Sequence, residues 1–246
     1  MPKTSKRPTQ RRLKGQTALI TGASRGIGLA IAQALADEGC NLLLAGRTIG
    51  SLEKTARKLS SKVRVLPKIC DVRDPHAVRA LAHALKKQFR RLDILINNAG
   101  IAHPNLPVAK LPYHVWRSVI DTNLTGTFLV TREMLPLMRR GGTIVNNLSI
   151  AATQVFAGSA AYNASKHGAL GLTDTLREEL RERGIRVVAL MPGATDTDIW
   201  DTLWPKAPRR KMMSTDTIAH ALIAALALPE NSTMEQLTIT PTGGAL

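Results

Sequence analysis

Tyr162 and Lys166 stand four residues apart in the run Tyr-Asn-Ala-Ser-Lys. On a helix this spacing puts both side chains on one face, one turn from each other. A phenol has an ordinary pKa of about 10, so near neutral pH it keeps its proton. A neighbouring ammonium favours the phenolate and would lower that value. A proton donor tuned in this way suits the reduction of a carbonyl or the oxidation of an alcohol. The same spacing also arises in plain surface helices, so its meaning depends on what the rest of the chain brings to it.

Those side chains need elements to hold them. Residues 17–20 are a short apolar run that reads as a buried strand. TGASRGIG follows at 21–28, then a helical stretch over 29–38 that closes at Gly39. Strand, glycine-rich turn and helix are the context a diphosphate requires: glycines allow a tight bend and close backbone approach, and free amides at the helix start meet the charge. The glycines are Gly22, Gly26 and Gly28, a spacing different from the common G-x-G-x-x-G. The turn also matches G-x-S-x-G, the nucleophile elbow of hydrolases. That elbow normally follows several strands, and here it follows the first.

Further strands are expected at 41–45, 63–69, 93–96, 143–148, 185–190 and 236–240. Helices are expected at 51–59, 75–89, 114–138 with a break near Asp121 and Thr122, about 160–183, and 215–228. Pro75 suits a first helical turn, and Gly141-Gly142 reads as a turn. Strands alternating with helices indicate an α/β doubly wound parallel sheet of the Rossmann type, about seven strands with helices on both faces. Residues 17–246 read as one domain behind a basic tail over 1–16.

At the end of the second strand an acidic residue would bind both ribose hydroxyls and select NAD. The residues there are Ala45, Gly46 and Arg47. Arg47 and Arg25 could hold a 2′-phosphate by charge-assisted hydrogen bonds, which favours NADP(H) over NAD(H). Asp71 follows the third strand, placed to accept from an adenine amino group or to serve as a plain turn residue. Small residues close the fourth strand at Asn97-Asn98-Ala99-Gly100. Ser149 ends the fifth strand and points toward the ligand crevice of such a sheet.

The 246 residues carry a net charge of +16, six of those charges in the first 16 residues. A basic surface attracts nucleic acid, membranes or anionic ligands. A disordered, solubilising arm is the favoured account, with nucleic acid not expected as a partner. No apolar run is long enough to span a bilayer, no signal peptide is evident, and a cytoplasmic location fits. Cys40 and Cys70 lie beside strands and read as buried thiols. The six histidines show no metal-ligand spacing, so no metal is expected.

Taken together, TGASRGIG at 21–28, Asp71, NNAG at 97–100, Asn123, Ser149, YNASK at 162–166 and PGATDT at 192–197 resemble the short-chain dehydrogenase/reductase family, in particular its 3-oxoacyl-[acyl-carrier-protein] reductase-like group. The resemblance implies that Tyr162 protonates the carbonyl oxygen while nicotinamide gives hydride. It implies that Lys166 lowers the Tyr162 pKa and binds the nicotinamide ribose, that Ser149 donates to the substrate oxygen, and that Asn123 holds a water for proton resupply. Gly22, Ser24, Arg25, Gly26, Ile27 and Gly28 would surround the diphosphate and ribose, with Arg47 beyond them. Asp71 and Val72 would meet adenine, and Asn98, Ala99 and Gly100 the adenosine side. Pro192, Gly193, Thr195 and Thr197 would meet the carboxamide region. Leu148 departs from the pattern, since many relatives carry a second serine there.

The substrate, a small carbonyl or alcohol such as an acyl-carrier or coenzyme A thioester, would meet Ser149, Gln154, Phe156, Tyr162, Trp200 and Trp204. Trp200 and Trp204 could equally form one packed helix face. Small residues at Ala160, Ala161, Ala164, Gly168, Ala169 and Gly171 permit close helix contact. The family resemblance implies a homodimer or homotetramer through that face. The rival reading is a dinucleotide-binding regulatory or nucleic-acid-associated protein without catalysis; the presence of Asn123, Ser149, Tyr162 and Lys166 argues against it.

Overall fold

The computed structural model describes residues 13–244. Most of the basic tail therefore lies outside the described residues. Residues 13–16, expected to belong to that tail, pack with the domain. Leu13 is buried among core residues, the Leu13 carbonyl accepts from the Cys40 thiol at 3.1 Å, and the Gln16 carbonyl accepts from Asn41 N.

Seven parallel strands form one sheet: β1 (Thr17–Thr21), β2 (Asn41–Gly46), β3 (Val65–Ile69), β4 (Leu92–Asn97), β5 (Met138–Asn147), β6 (Arg186–Pro192) and β7 (Gln236–Ile239). Their order is β3-β2-β1-β4-β5-β6-β7. Every neighbouring pair is parallel, from Leu42↔Val65 at the β3 edge to Pro192↔Ile239 at the β7 edge. The chain reverses its direction of winding between β1 and β4, and a ligand crevice opens beyond the carboxyl ends at such a point.

Side chains alternate across the sheet, as the strand period of two demands. Ile20, Leu42, Leu44, Ile96 and Val188 face one layer. Leu19, Leu43, Leu95, Ile144 and Val187 face the other. The first layer is closed by α1 (Gly26–Asp37), α2 (Ile49–Leu59) and α8 (Thr215–Leu226). The second is closed by α3 (Pro75–Phe89), α5 (Gly126–Met134) and α6 (Ala160–Leu180). Because both faces are covered, β1 is buried at every position, with Ala18, Leu19 and Ile20 at its centre. Truncating one such leucine to alanine costs about 2–5 kcal/mol.

Local signals hold at several ends. Asp74 caps α3 by accepting from His76 N at 2.8 Å, with Pro75 in the first turn. Cys40 and Cys70 are free, buried thiols, and burial pushes their pKa values up to about 12 and about 11.

Three readings of the sequence change. Gly141 and Gly142, expected as a turn, lie inside β5, which begins at Met138. Gly141 takes a φ of 85° there, and the β4–β5 register shifts between Leu92 and Ile94. The long helix over 114–138 is four pieces that end at Leu137: α4 (Tyr113–Ile120), a π-helical turn (Asp121–Thr125), α5 and a 3-10 turn (Leu135–Leu137), with Met138 already in β5. The break comes where a discontinuity was expected, and it carries Asn123. The small-residue face of α6 is partly used within the chain. Ala161 and Ala169 are core residues, and a Cβ on Gly168 would come within 2.9 Å of the Leu124 side chain. Gly171 stays open.

Candidate active site

A cleft of about 1140 Å³ lies over the carboxyl ends of the strands. Its wall at one end is the turn between β1 and α1. Gly22 and Gly26 adopt positive φ values of 65° and 55°, which residues with a Cβ rarely tolerate. A Cβ on Gly28 would stand 2.4 Å from both the Gly22 carbonyl oxygen and Asn98 Nδ2. Arg25, at the N-cap of α1, makes no side-chain cap, and the first turn carries no acid. Backbone amides at this helix start are therefore available to an anion. The turn is shaped and charged to fit a dinucleotide diphosphate.

The other end holds Tyr162 and Lys166 on the first two turns of α6, and Ser149 two residues after β5. Lys166 Nζ lies 5.5 Å from the Tyr162 ring centroid and donates to the Asn147 carbonyl at 3.0 Å. Burial pushes the Lys166 pKa down to about 8. Burial also raises the Tyr162 pKa, and a hydrogen bond with Ser149 pulls it the other way. The expected lowering of Tyr162 by Lys166 is thus reversed. Removing the phenolate from water outweighs nearby help, and the lysine itself holds its charge less firmly. Ser149 Oγ accepts from Ala151 N at 3.1 Å, which fixes the hydroxyl at the cleft floor.

All residues expected to meet a dinucleotide border this one cleft, from Gly22 and Arg47 to Pro192 and Thr197. Arg25, however, is paired with Asp198 at 3.1 Å across the cleft mouth. Its expected engagement of a 2′-phosphate competes with that pair, whereas Arg47 stands exposed at the end of β2. Asp71 is gripped by Arg73 at 2.6 Å, and this hydrogen bond holds its carboxyl below the usual range.

Ser149, Phe156, Tyr162, Trp200 and Trp204 line the cleft; Gln154 and Asn123 do not. Gln154 is exposed away from it. Asn123 is buried, and its side chain is spent inside the protein. Its Oδ1 accepts from Ile101 N at 2.9 Å, and its Nδ2 donates to the Ile101 carbonyl at 2.9 Å and to Ser165 Oγ at 3.0 Å. It thereby ties the segment after β4 to α6, next to the Tyr162–Lys166 pair. Trp200 and Trp204 sit in and just after α7 (Ile199–Leu203) and both face the cleft.

Asn147 escaped the sequence reading. Asn98 Nδ2 donates to the Thr21 and Gly22 carbonyls at 2.9 and 3.1 Å, so Asn98 Oδ1 faces away and accepts from Asn147 Nδ2 at 2.8 Å. Through its side chain Asn147 touches the glycine turn's support, and through its carbonyl it holds Lys166. No sequence motif marks it, since an asparagine at a strand end reads as turn chemistry. His103 is 1% exposed, contacts the Pro104 carbonyl and does not border the cleft.

A family model described as short chain dehydrogenase matches residues 16–208. Sulfoacetaldehyde reductase 2 of Chromohalobacter salexigens is 34% identical over 235 residues, spanning 91% of this chain and 93% of that protein. An alcohol dehydrogenase of Thermococcus sibiricus, solved with 5-hydroxy-NADP, superposes with a TM-score of 0.88 at 29% identity, covering 95% of this chain and 99% of that one. A variant of the actinorhodin polyketide ketoreductase, solved with NADPH, gives 0.82 at 31% identity, covering 92% and 96%. Among the described residues no helix is long and apolar enough to cross a membrane.

Proposed function

This chain belongs to the short-chain dehydrogenase family of oxidoreductases, and from that membership we propose that it is an NADP(H)-dependent carbonyl reductase acting on a ketone or aldehyde, or on the alcohol in reverse. The observation that carries the proposal is one cleft with a diphosphate-shaped glycine turn at one end and Tyr162, Ser149 and Lys166 together at the other. A nicotinamide dinucleotide held by the glycine turn and Lys166 would supply or accept the hydride.

Tyr162 donates its phenolic proton to the carbonyl oxygen. Its burial keeps that proton in place at neutral pH, as a general acid requires. Ser149 donates a hydrogen bond to the same oxygen and stabilises the charge that develops on it. Lys166, held by the Asn147 carbonyl, binds the nicotinamide ribose and delivers protons back toward Tyr162. Asn123 fixes the α6 start that presents this pair, and a water near it completes the resupply route. Arg47 receives the 2′-phosphate, in keeping with the NADP-type dinucleotides of both solved relatives. Candidate substrates include a 3-oxoacyl thioester. Gly171, left open on α6, serves a homo-oligomer contact.

The test is Tyr162→Phe. Loss of carbonyl-dependent NADPH oxidation with dinucleotide binding preserved is the expected result. Turnover that survives the substitution overturns the mechanism, and faster turnover with NADH than with NADPH overturns the cofactor assignment.

A further inference from the structure

The protein has three Phe, two Tyr and three Trp, and Phe156, Tyr162, Trp200 and Trp204 all border this one cleft. Trp200 Nε1 donates to the Thr195 carbonyl at 2.9 Å. Its only polar atom is satisfied, and the ring is left as a wall. Trp204 is 45% exposed and Val155 is 78% exposed, both at the cleft rim. Leaving large apolar groups in water beside a reactive centre is the mark of a surface that a ligand covers.

The charges at this end point the same way. The cationic residues bordering the cleft are Arg25, Arg47, Arg73 and Lys166. Arg25 and Arg73 are paired with Asp198 and Asp71, Arg47 stands at the β2 end, and Lys166 is bound to a carbonyl. Lys206, the cation nearest to the tryptophan segment in sequence, does not border the cleft, and neither does Arg209. Arg209 is engaged by Asp196 at 2.7 Å, by the Thr197 carbonyl at 2.6 Å and by Asp201. An anion placed beside the reacting carbonyl would lose its water against Phe156 and Trp204, with Lys166 the one cation bordering that end of the cleft.

We infer that the substrate of this cleft is an extended apolar ketone, seated on Phe156, Trp200 and Trp204, with no anionic group next to its carbonyl. This rests on the carbonyl reductase reading and narrows it. Short carbonyl acids and sulfonated aldehydes are thereby disfavoured. The apolar part contributes binding through area removed from water.

Two probes decide it: 2-tetralone, a bicyclic apolar ketone, and succinic semialdehyde, a short carbonyl acid. With NADPH, kcat/KM for 2-tetralone should exceed that for succinic semialdehyde by at least about 10-fold. Phe156→Ala and Trp204→Ala should each raise KM for 2-tetralone by roughly 5- to 10-fold with little change in kcat. Faster turnover of succinic semialdehyde, or an unchanged KM in both variants, overturns the inference while leaving the reductase reading intact. A binding arm separates the two failures. In Tyr162→Phe saturated with NADP, 2-tetralone should quench tryptophan fluorescence saturably, and Phe156→Ala added to that variant should weaken the titration. If no carbonyl is reduced by the native protein, the reductase reading fails, yet this titration still supports or overturns the apolar assignment.

Discussion

Replacing Asn147 with leucine keeps most of the side-chain volume and removes one amide. The change breaks the 2.8 Å bond to Asn98 Oδ1 and leaves that part-buried acceptor unpaired, a loss of about 1–3 kcal/mol. It also removes Asn147 Oδ1, a buried oxygen with no hydrogen-bond partner, which returns part of the penalty. A net destabilisation of about 1 kcal/mol follows, or a fall in Tm of about 2–4 °C for a chain of this size. The functional effect is larger on one side of the cleft than on the other. Asn98 holds the Thr21 and Gly22 carbonyls, so the glycine turn loosens and the dinucleotide Kd should rise roughly 5- to 10-fold. Ser149 and Tyr162 are untouched, and KM for the carbonyl should change little. Asn147→Asp adds a sharper readout. Its carboxylate faces the Asn98 acceptor and lies near Lys166, whose pKa of about 8 should rise, because an opposite charge favours the ammonium. The alkaline inflection of the pH–rate profile then moves upward. Calorimetric Tm, fluorescence titration with NADPH and that profile are the assays. An Asn147→Leu variant with native Tm and native Kd, or an Asn147→Asp variant with an unmoved alkaline limb, refutes the coupling.

Lys166 carries a second consequence. Its folded pKa of about 8 lies below the ordinary value of about 10.4, so between these pH values the unfolded chain binds more protons and stability rises with pH. Lys166→Met should be more stable than the native protein below pH 8, with the difference shrinking by up to ~1.4 kcal/mol per pH unit across that window; denaturant unfolding at a series of pH values checks it. Gly28→Ala forces a Cβ within 2.4 Å of the Gly22 carbonyl oxygen and Asn98 Nδ2. It should destabilise the fold by about 1–3 kcal/mol and abolish measurable dinucleotide binding, read by thermal unfolding with and without NADPH. Arg47→Glu replaces the exposed cation at the β2 end with an acid. It should lower kcat/KM for NADPH by roughly 10- to 100-fold and leave that for NADH near native, as steady-state kinetics with both dinucleotides would show.

Much of the architecture is written in local patterns. The leucine run over 42–44 and the apolar pairs at 94–96 and 187–190 can sit only in a sheet covered on both faces. The spacing of Gly22, Gly26 and Gly28 after a strand marks a tight turn into a helix, and that turn forms as expected. Tyr162 and Lys166 meet because a helix returns to the same face after four residues. The placement of Ser149 follows from the strand before it. Gln154 failed as a cleft residue because a loop just past a short turn has no period from which direction can be read. The two glycines within β5 failed for a related reason: glycine pairs signal turns, but here they accommodate a register shift inside a ladder.

The residue types, the strand–helix alternation and the positions of the glycine turn and the tyrosine–lysine pair were decided by neighbours within a few residues, and they are legible without coordinates. The partners of those residues were decided by packing across the molecule. Asn98 and Asn147 are 49 residues apart, and Arg25 and Asp198 are 173 apart. No local period links such pairs, so only closure of the sheet could bring them together. The direction of the Tyr162 pKa belongs to the same class, because it depends on how much water the surrounding elements exclude.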